Sequence, residues 1–360
     1  MQDTQREFLD SLLETSSPSG FETPSQRVWI EYVSGFADEV RTDEYGNAVA
    51  VHEGGDGTAI AIAGHGDEIG FMIRDITEDG YLRLSRIGGS DRTVTRGQHV
   101  TVHTDDGPVA GVVGQTAIHL RDREDERLED VAEQFVDIGV DDGDAARDLV
   151  EIGDPVTFAS GLESLAETRL AARGMDNRVG IWTAAEALRR AKAADADATI
   201  YAVSTVQEEL GTQGAKMVGF DLDPDAIIAV DVTHATDTPG VPGKRSNGIE
   251  LGGGPVVARG SANHPRLVEA LRSVGDDEGI PPQLEATGSS TGTDADAFYT
   301  QRGGVPTVNL GLPNRYMHTP VEVIDTDDLD RAADLLGAFA ASAGEHAPFA
   351  VSPEKGVNDQ

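Results

Sequence analysis

The chain has 360 residues, no cysteine, and 64 Asp plus Glu against 28 Lys plus Arg, a formal net charge of −36. Its length exceeds one compact domain and suggests two, and the missing cysteines exclude disulfides, thiolate metal sites and thiol nucleophiles, leaving His, Asp and Glu to hold any metal. So acidic a surface, with Lys192, Lys216, Lys244 and Lys355 as its only lysines, repels nucleic acid and anionic membranes.

Acidity can signal disorder, but here apolar residues recur in strand-like and helix-like segments. Adaptation to concentrated salt, which screens the repulsion, is the better account. The start MQDTQREFLDSLL is polar and amphipathic rather than a leader, and no run of about 18 uncharged apolar residues occurs. A soluble protein of a salt-rich cytoplasm is expected.

In chain order, residues 3–14 read as a helix, SSPSG as a turn, and Thr23-Pro24 as the N-cap and first position of a helix to about residue 36. Residues 40–42 and 48–51 suggest a hairpin, and 58–63 (TAIAIA) a buried strand running into Gly64-His65-Gly66-Asp67. Over 68–166 short β segments (FMIRDI, YLRLSRI, HVTVHT, VAGVVG, PVTFA) alternate with Gly and Asp turns, around an acidic, helical interval at 125–149. This pattern predicts a small inserted β-barrel. An α/β rhythm then returns: helix 177–193, strands 199–206 and 226–230, helix 264–274, strand 305–310 and helix 328–342. There is no internal repeat, and SPEKGVNDQ reads as a frayed tail.

In open α/β sheets functional groups gather beyond the carboxyl ends of the strands. Here those ends carry His65 and Asp67, Glu208-Glu209, Asp231 and, past Asn314-Arg315-Tyr316-Met317, His318, while Asp176 opens a helix in RGMDNRVG. Singly, each has a plain reading: a hydrogen-bonded structural His, a helix-cap Asp, a turn Asp, a solvated Glu pair. Five such sites at successive crossovers argue jointly for a metal centre. Mixed imidazole and carboxylate suits Zn²⁺, Co²⁺ or Mn²⁺, and the set suffices for two ions sharing a bridging carboxylate. In the Glu-Glu pair one residue can ligate while its neighbour serves as base.

The segments HGDEIG, GMDNRVG, QEELG, AVDVTH, GTDADAF and NRYMHTP together resemble the M42 glutamyl aminopeptidases, the group that includes the tetrahedral TET peptidases, over nearly the whole chain. The resemblance implies an α/β sheet of the di-zinc exopeptidase type in 1–67 and 167–350, a PDZ-like barrel inserted at 68–166 for oligomerisation, and a flexible tail at 351–360. It implies that His65 and Asp231 ligate one divalent ion, Glu209 and His318 a second, with Asp176 bridging, Glu208 as general base and Asp67 orienting His65. Peptides are the implied substrates, trimmed one residue at a time from the N-terminus by a twelve-subunit tetrahedron built from dimers. The separation of 111 positions from His65 to Asp176 favours this arrangement over other di-metal exopeptidases, in which the bridging Asp follows the first His closely.

Thr293 and Asp294, in GSSTGTDADAF, are pocket candidates under the same resemblance; that segment lacks a Walker lysine, and Ser289 and Ser290 lack a nucleophile elbow. Arg315 and Tyr316 either contact substrate or pin their loop. His52, His99, His103, His119, His264 and His346 have no paired ligand spacing, whereas His234, three residues past Asp231, can approach the site. The competing readings are a two-metal exopeptidase acting on carboxyl ends or acylated amino acids, and an inert assembly protein. A glycosidase would need two opposed carboxylates instead of a metal cluster.

Overall fold

The computed structural model describes residues 1–55, 57–121 and 128–352. Its strands are β1 (Glu39–Thr42), β2 (Ala48–His52), β3 (Ala59–His65), β4 (Gly70–Ile76), β5 (Leu82–Ile87), β6 (His99–Thr104), β7 (Gly107–Val113), β8 (Phe135–Asp137), β9 (Pro155–Phe158), β10 (Glu163–Ser164), β11 (Arg169–Ala172), β12 (Thr199–Thr205), β13 (Ala226–His234), β14 (Val256–Gly260), β15 (Gln283–Thr287), β16 (Thr307–Asn314) and β17 (Glu322–Asp325). The longer helices are α1 (Asp3–Glu14), α2 (Thr23–Val33), α3 (Met175–Ala193), α4 (Gln213–Asp221), α5 (Pro265–Asp277) and α6 (Thr326–Ala341).

An eight-stranded sheet in the order β1-β2-β12-β3-β13-β16-β14-β15 is covered by helices on both faces. Alternation along each strand sends one side chain up and the next down. Ile60 and Ile62 of β3 and Ile228 and Val230 of β13 join the larger core with α1, α2, α3, α5 and α6, while Ala61, Ala63, Ile227 and Ala229 face the smaller core with α4. β12, β3, β13 and β16 run parallel, which aligns their carboxyl ends along one edge. Helix α3 is buried almost all round, and it lies close on β3 because Gly64 has no side chain: a Cβ there would stand 2.7 Å from the Gly180 carbonyl carbon.

Six strands, β4-β5-β8-β7-β6-β9, close a barrel around Phe71, Leu84, Val102, Val136 and Val156. Its strands span 70–158, inside the interval expected from the sequence. Flanking pieces belong elsewhere, since Glu68 is buried against Arg173 and Arg178 and β10 pairs with β11, which pairs with β17.

The helix expected across 125–149 is corrected. Among the described residues that interval holds a 3₁₀ turn (Val131–Glu133), β8 and a five-residue helix (Gly143–Arg147). Gly139, at φ +81°, breaks the chain, and Val136 is wholly buried because β8 closes the barrel between β5 and β7. Residues 122–127, and the tail from 353 onward, lie outside the described residues. Among the described residues no helix is long and apolar enough to cross a membrane.

Candidate metal centre

The aligned strand ends converge. His65 is the last residue of β3, in register with Thr205 at the end of β12, and the loop after Thr205 carries Glu208 and Glu209. Asp231 lies on β13 beside Gly311 of β16, whose continuation reaches His318. Asp176 and Asn177 depart from helical φ and ψ, so the regular part of α3 begins after them. Asn177 caps that start: its Oδ1 accepts the Gly180 amide at 3.0 Å and its Nδ2 donates to the Val230 carbonyl at 2.8 Å. Asp176 is thereby tied to β13, with its carboxylate free of the helix.

That carboxylate faces two ways. Asp176 Oδ1 is 3.2 Å from His65 Nε2, and Oδ2 is 3.3 Å from His318 Nε2. Asp231 Oδ1 lies 3.7 Å and Glu208 Oε2 3.8 Å from His65 Nε2, and Glu209 Oε1 3.1 Å from His318 Nε2. Two groups of donor atoms result, His65-Asp176-Asp231 and Asp176-Glu209-His318, each with its atoms within 4.8 Å of one another and sharing Asp176. His65 Nδ1 faces the Asp67 carbonyl at 3.1 Å and Asp67 Oδ1 at 3.3 Å. With the proton on that nitrogen, the lone pair of Nε2 points into the cluster.

The electrostatics demand positive charge. Burial, reinforced by the carboxylates of Asp231, Asp294 and Glu209 and opposed by His65, pushes Glu208 up to about 10. Burial likewise raises Asp231 to about 6 and Asp294 to about 7, with His65 opposing in both cases. Asp176 and Glu209 hold His318 up at about 11. A buried group of carboxylates that draws protons in this way, around the donors His65, Asp176, Asp231, Glu209 and His318, is one whose charge a divalent cation would satisfy.

Behind these groups Asp67 has a second role, and Glu22 and Glu322, which strand-end reasoning missed, have roles of their own. Asp67 accepts the Glu208 amide on Oδ1 (3.0 Å) and the Glu209 amide on Oδ2 (3.1 Å), so it sets the Glu-Glu loop as well as His65. Glu22 takes the Gln207 amide at 3.0 Å, and Glu322 takes the amides of both Asp176 and His318. Gln207 and His318 hold positive φ without being glycine, an uncommon conformation that these hydrogen bonds sustain. The barrel reaches in too: a Cβ on Gly88 would lie 3.0 Å from Glu209 Oε2, and one on Gly89 2.6 Å from His318 Nδ1. The Gly-Gly pair after YLRLSRI was the available signal.

Thr293 and Asp294 are buried beneath the strand ends, bonded to Asn309 and Thr205 respectively. Arg315 donates from Nε to Asp237 Oδ1 at 2.8 Å and from Nη2 to Oδ2 at 2.6 Å, which pins the loop. Tyr316 is half exposed and, with His234, lines a neighbouring cavity of about 700 Å³. His52 bonds Asp38 and the Ala196 carbonyl, and His103 bonds Thr157, away from the clusters.

A family model for M42 glutamyl aminopeptidase matches residues 46–335. The lysyl aminopeptidase of Pyrococcus furiosus is 36% identical over 92% of this chain and 96% of its own length. Among solved structures, the TET aminopeptidase of a marine-sediment thaumarchaeon superimposes with a TM-score of 0.89 at 29% identity, covering 95% of this chain and 99% of its own. The Pyrococcus horikoshii TET1 peptidase, which can assemble into a tetrahedron or a large octahedral shell, gives 0.83 at 28% identity, covering 93% and 99%. Agreement of this extent, across both the sheet and the barrel, makes the chain a member of the M42 glutamyl aminopeptidase family and a peptide hydrolase.

Proposed function

We propose that the protein is a two-metal aminopeptidase that releases single residues from the N-termini of peptides. The observation that carries this reading is Asp176, whose two oxygens face two separate imidazoles. His65 and Asp231 would hold one divalent ion and Glu209 and His318 the other, with Asp176 common to both; Zn²⁺ or Co²⁺ suits these ligands, with Mn²⁺ as a third candidate. When bound, such a pair supplies Lewis acidity and lowers the pKa of water.

Glu208 is the general base: its Oε2 reaches the centre while its own amide is held by Asp67, so it can take the proton of the attacking water and return it to the leaving amine. Asp67 keeps the proton of His65 on Nδ1. Residues 1–67 and 167–350 form the catalytic unit, and the barrel within 68–166, PDZ-like in kind, is the oligomerisation module of a tetrahedral dodecamer built from dimers. The net charge of −36 suits a salt-rich cytoplasm.

The test is a mixed peptide library digested by metal-loaded protein and read by mass spectrometry. Stepwise loss from free N-termini is expected, with acetylated peptides resistant. Cleavage inside peptides blocked at both ends would refute the reading.

A further inference from the structure

The strand that carries Asp231 runs on to His234, where the cavity of about 700 Å³ opens. Tyr316 and Met317, the residues before His318, form part of its wall together with Val241, and Glu285 and Arg245 contribute its charges. The cavity is therefore walled by the chain segments that run on from Asp231 and lead into His318, one candidate ligand from each donor group. Its apolar wall suits a methylene chain, and its charged groups decide what the chain ends in.

The two charges differ in how they are held. Glu285, on β15, is half buried and fixed at both oxygens: Thr233 Oγ1 donates to Oε2 at 2.6 Å and Asn247 Nδ2 donates to Oε1 at 3.0 Å. The Asn247 amide is itself oriented, because its Oδ1 accepts from Thr236 Oγ1 and from the Ile249 amide. Both donors to Glu285 are neutral and leave its negative charge uncompensated. Arg245, by contrast, is exposed on a short 3₁₀ turn of the cavity loop, and a long exposed side chain loses much rotamer freedom when it clamps a ligand.

Position agrees with this. Asp231 and Thr233 alternate onto the same face of β13, about 7 Å apart along the strand, and Thr233 makes the contact to Glu285. Gly311 of β16 permits it, since a Cβ there would stand 2.8 Å from Thr233 Cγ2. The fixed carboxylate is thus bonded to the strand that carries Asp231, two residues beyond that candidate ligand.

We infer that Glu285 selects a basic side chain, lysine or arginine, at the first position of the peptide. The inference rests on the aminopeptidase reading and deepens it. The test measures kcat/KM in molar salt for fluorogenic lysyl, arginyl, leucyl and glutamyl amides on the wild type, Glu285→Gln, Glu285→Lys and Arg245→Gln. The wild type should prefer the basic amides. Glu285→Gln should lower the lysine-to-leucine ratio about 10–100-fold, the range for a hydrogen bond to a charged group, and Glu285→Lys should turn the preference toward glutamate. A wild type that prefers glutamate and loses that preference in Arg245→Gln would overturn the inference, as would an unchanged lysine-to-leucine ratio in Glu285→Gln. Leucine release without lysine release overturns this inference alone. No release from any amide overturns the aminopeptidase reading and this inference with it.

Discussion

Glu322 grips Asp176 by its backbone, its Oε2 accepting the Asp176 amide at 3.0 Å. The other oxygen, Oε1, accepts the His318 amide at 2.7 Å, so one buried carboxylate spaces two candidate ligands. It can do so because β17 pairs with β11, the strand that leads through Arg173 and Gly174 into Asp176. Glu322→Gln keeps one acceptor but turns an NH₂ group toward the other amide. Metal affinity should fall about 10–100-fold, as for other partners that orient ligands, measured by competition with a chelating dye. Unchanged affinity would remove Glu322 from the centre's support.

Glu208→Gln should keep two ions per chain by elemental analysis while turnover falls about 10²–10⁴-fold, the usual contribution of a general base. Asp176→Ala and His318→Ala should lose metal as well as activity. A Glu208→Gln protein with near wild-type turnover would show that the base lies elsewhere.

Gly89 makes no demand on φ, yet a Cβ at this position would meet the His318 ring at 2.6 Å. The loop cannot easily retreat, because Ser90 Oγ ties it to the Gly70 carbonyl at 2.9 Å. In Gly89→Ala the ring is expected to shift away from Glu209 and Asp176, dropping the metal content from two ions to one with the fold intact by circular dichroism. Two ions at wild-type affinity would contradict this packing argument.

How much of this was legible in the sequence depends on the kind of contact. His65, Asp231 and the Glu208-Glu209 pair stand at the ends of apolar strands, and parallel register does the rest, so their convergence follows from local pattern. Glu322 and Glu22 act on backbone amides of Asp176 and Gln207, contributed by distant parts of the chain, and nothing in their own neighbourhoods marks those contacts; Gly89 is marked only by its pairing with Gly88, which does not say which ring it makes room for. The edge strand β15 and its neighbour β14 went unseen for a similar reason: β15 is half exposed, with polar residues interrupting its pattern. Acidic residues at 125–149 read as a helix because the closure of the barrel by Val136 is a tertiary fact.

Glu68 lies fully buried between Arg173 and Arg178, each 2.6 Å away. Burial works against its charge, but the two guanidinium groups win and hold it down at about 2. A carboxyl with a depressed folded pKa contributes stability that is present above its unfolded value near 4.5 and is lost as pH falls toward about 2. Glu68→Gln leaves two buried cations without their counter-charge and should cost about 3–5 kcal/mol at neutral pH. It should also flatten the loss of stability between those two pH values in denaturant titrations at molar salt. A neutral substitution would mean that the cluster is not held dry.

The last expectation concerns assembly. The barrel surface carries Glu78, Asp79, Asp105, Asp106, Asp141, Asp142, Asp144 and Asp148 exposed to solvent, while the acidic run at 122–127 lies outside the described residues. The same region exposes Ile118 and Leu120, 67% and 79% accessible, apolar side chains suited to contact with another subunit. Two such faces repel at low ionic strength, where the screening length is about 30 Å at 0.01 M, and can close when it shrinks to about 3 Å at 1 M. Salts excluded from protein surfaces also strengthen apolar contact. Assembly should therefore track ionic strength: ultracentrifugation is expected to show a large active particle at molar salt and smaller, less active species after dialysis. Replacing Ile118 and Leu120 together with Ser should shift that transition to higher salt if apolar contact supplies the attraction. A stable monomer at molar salt would refute the assembly, whereas a particle that persists without salt would refute only the screening argument and leave the peptidase reading standing.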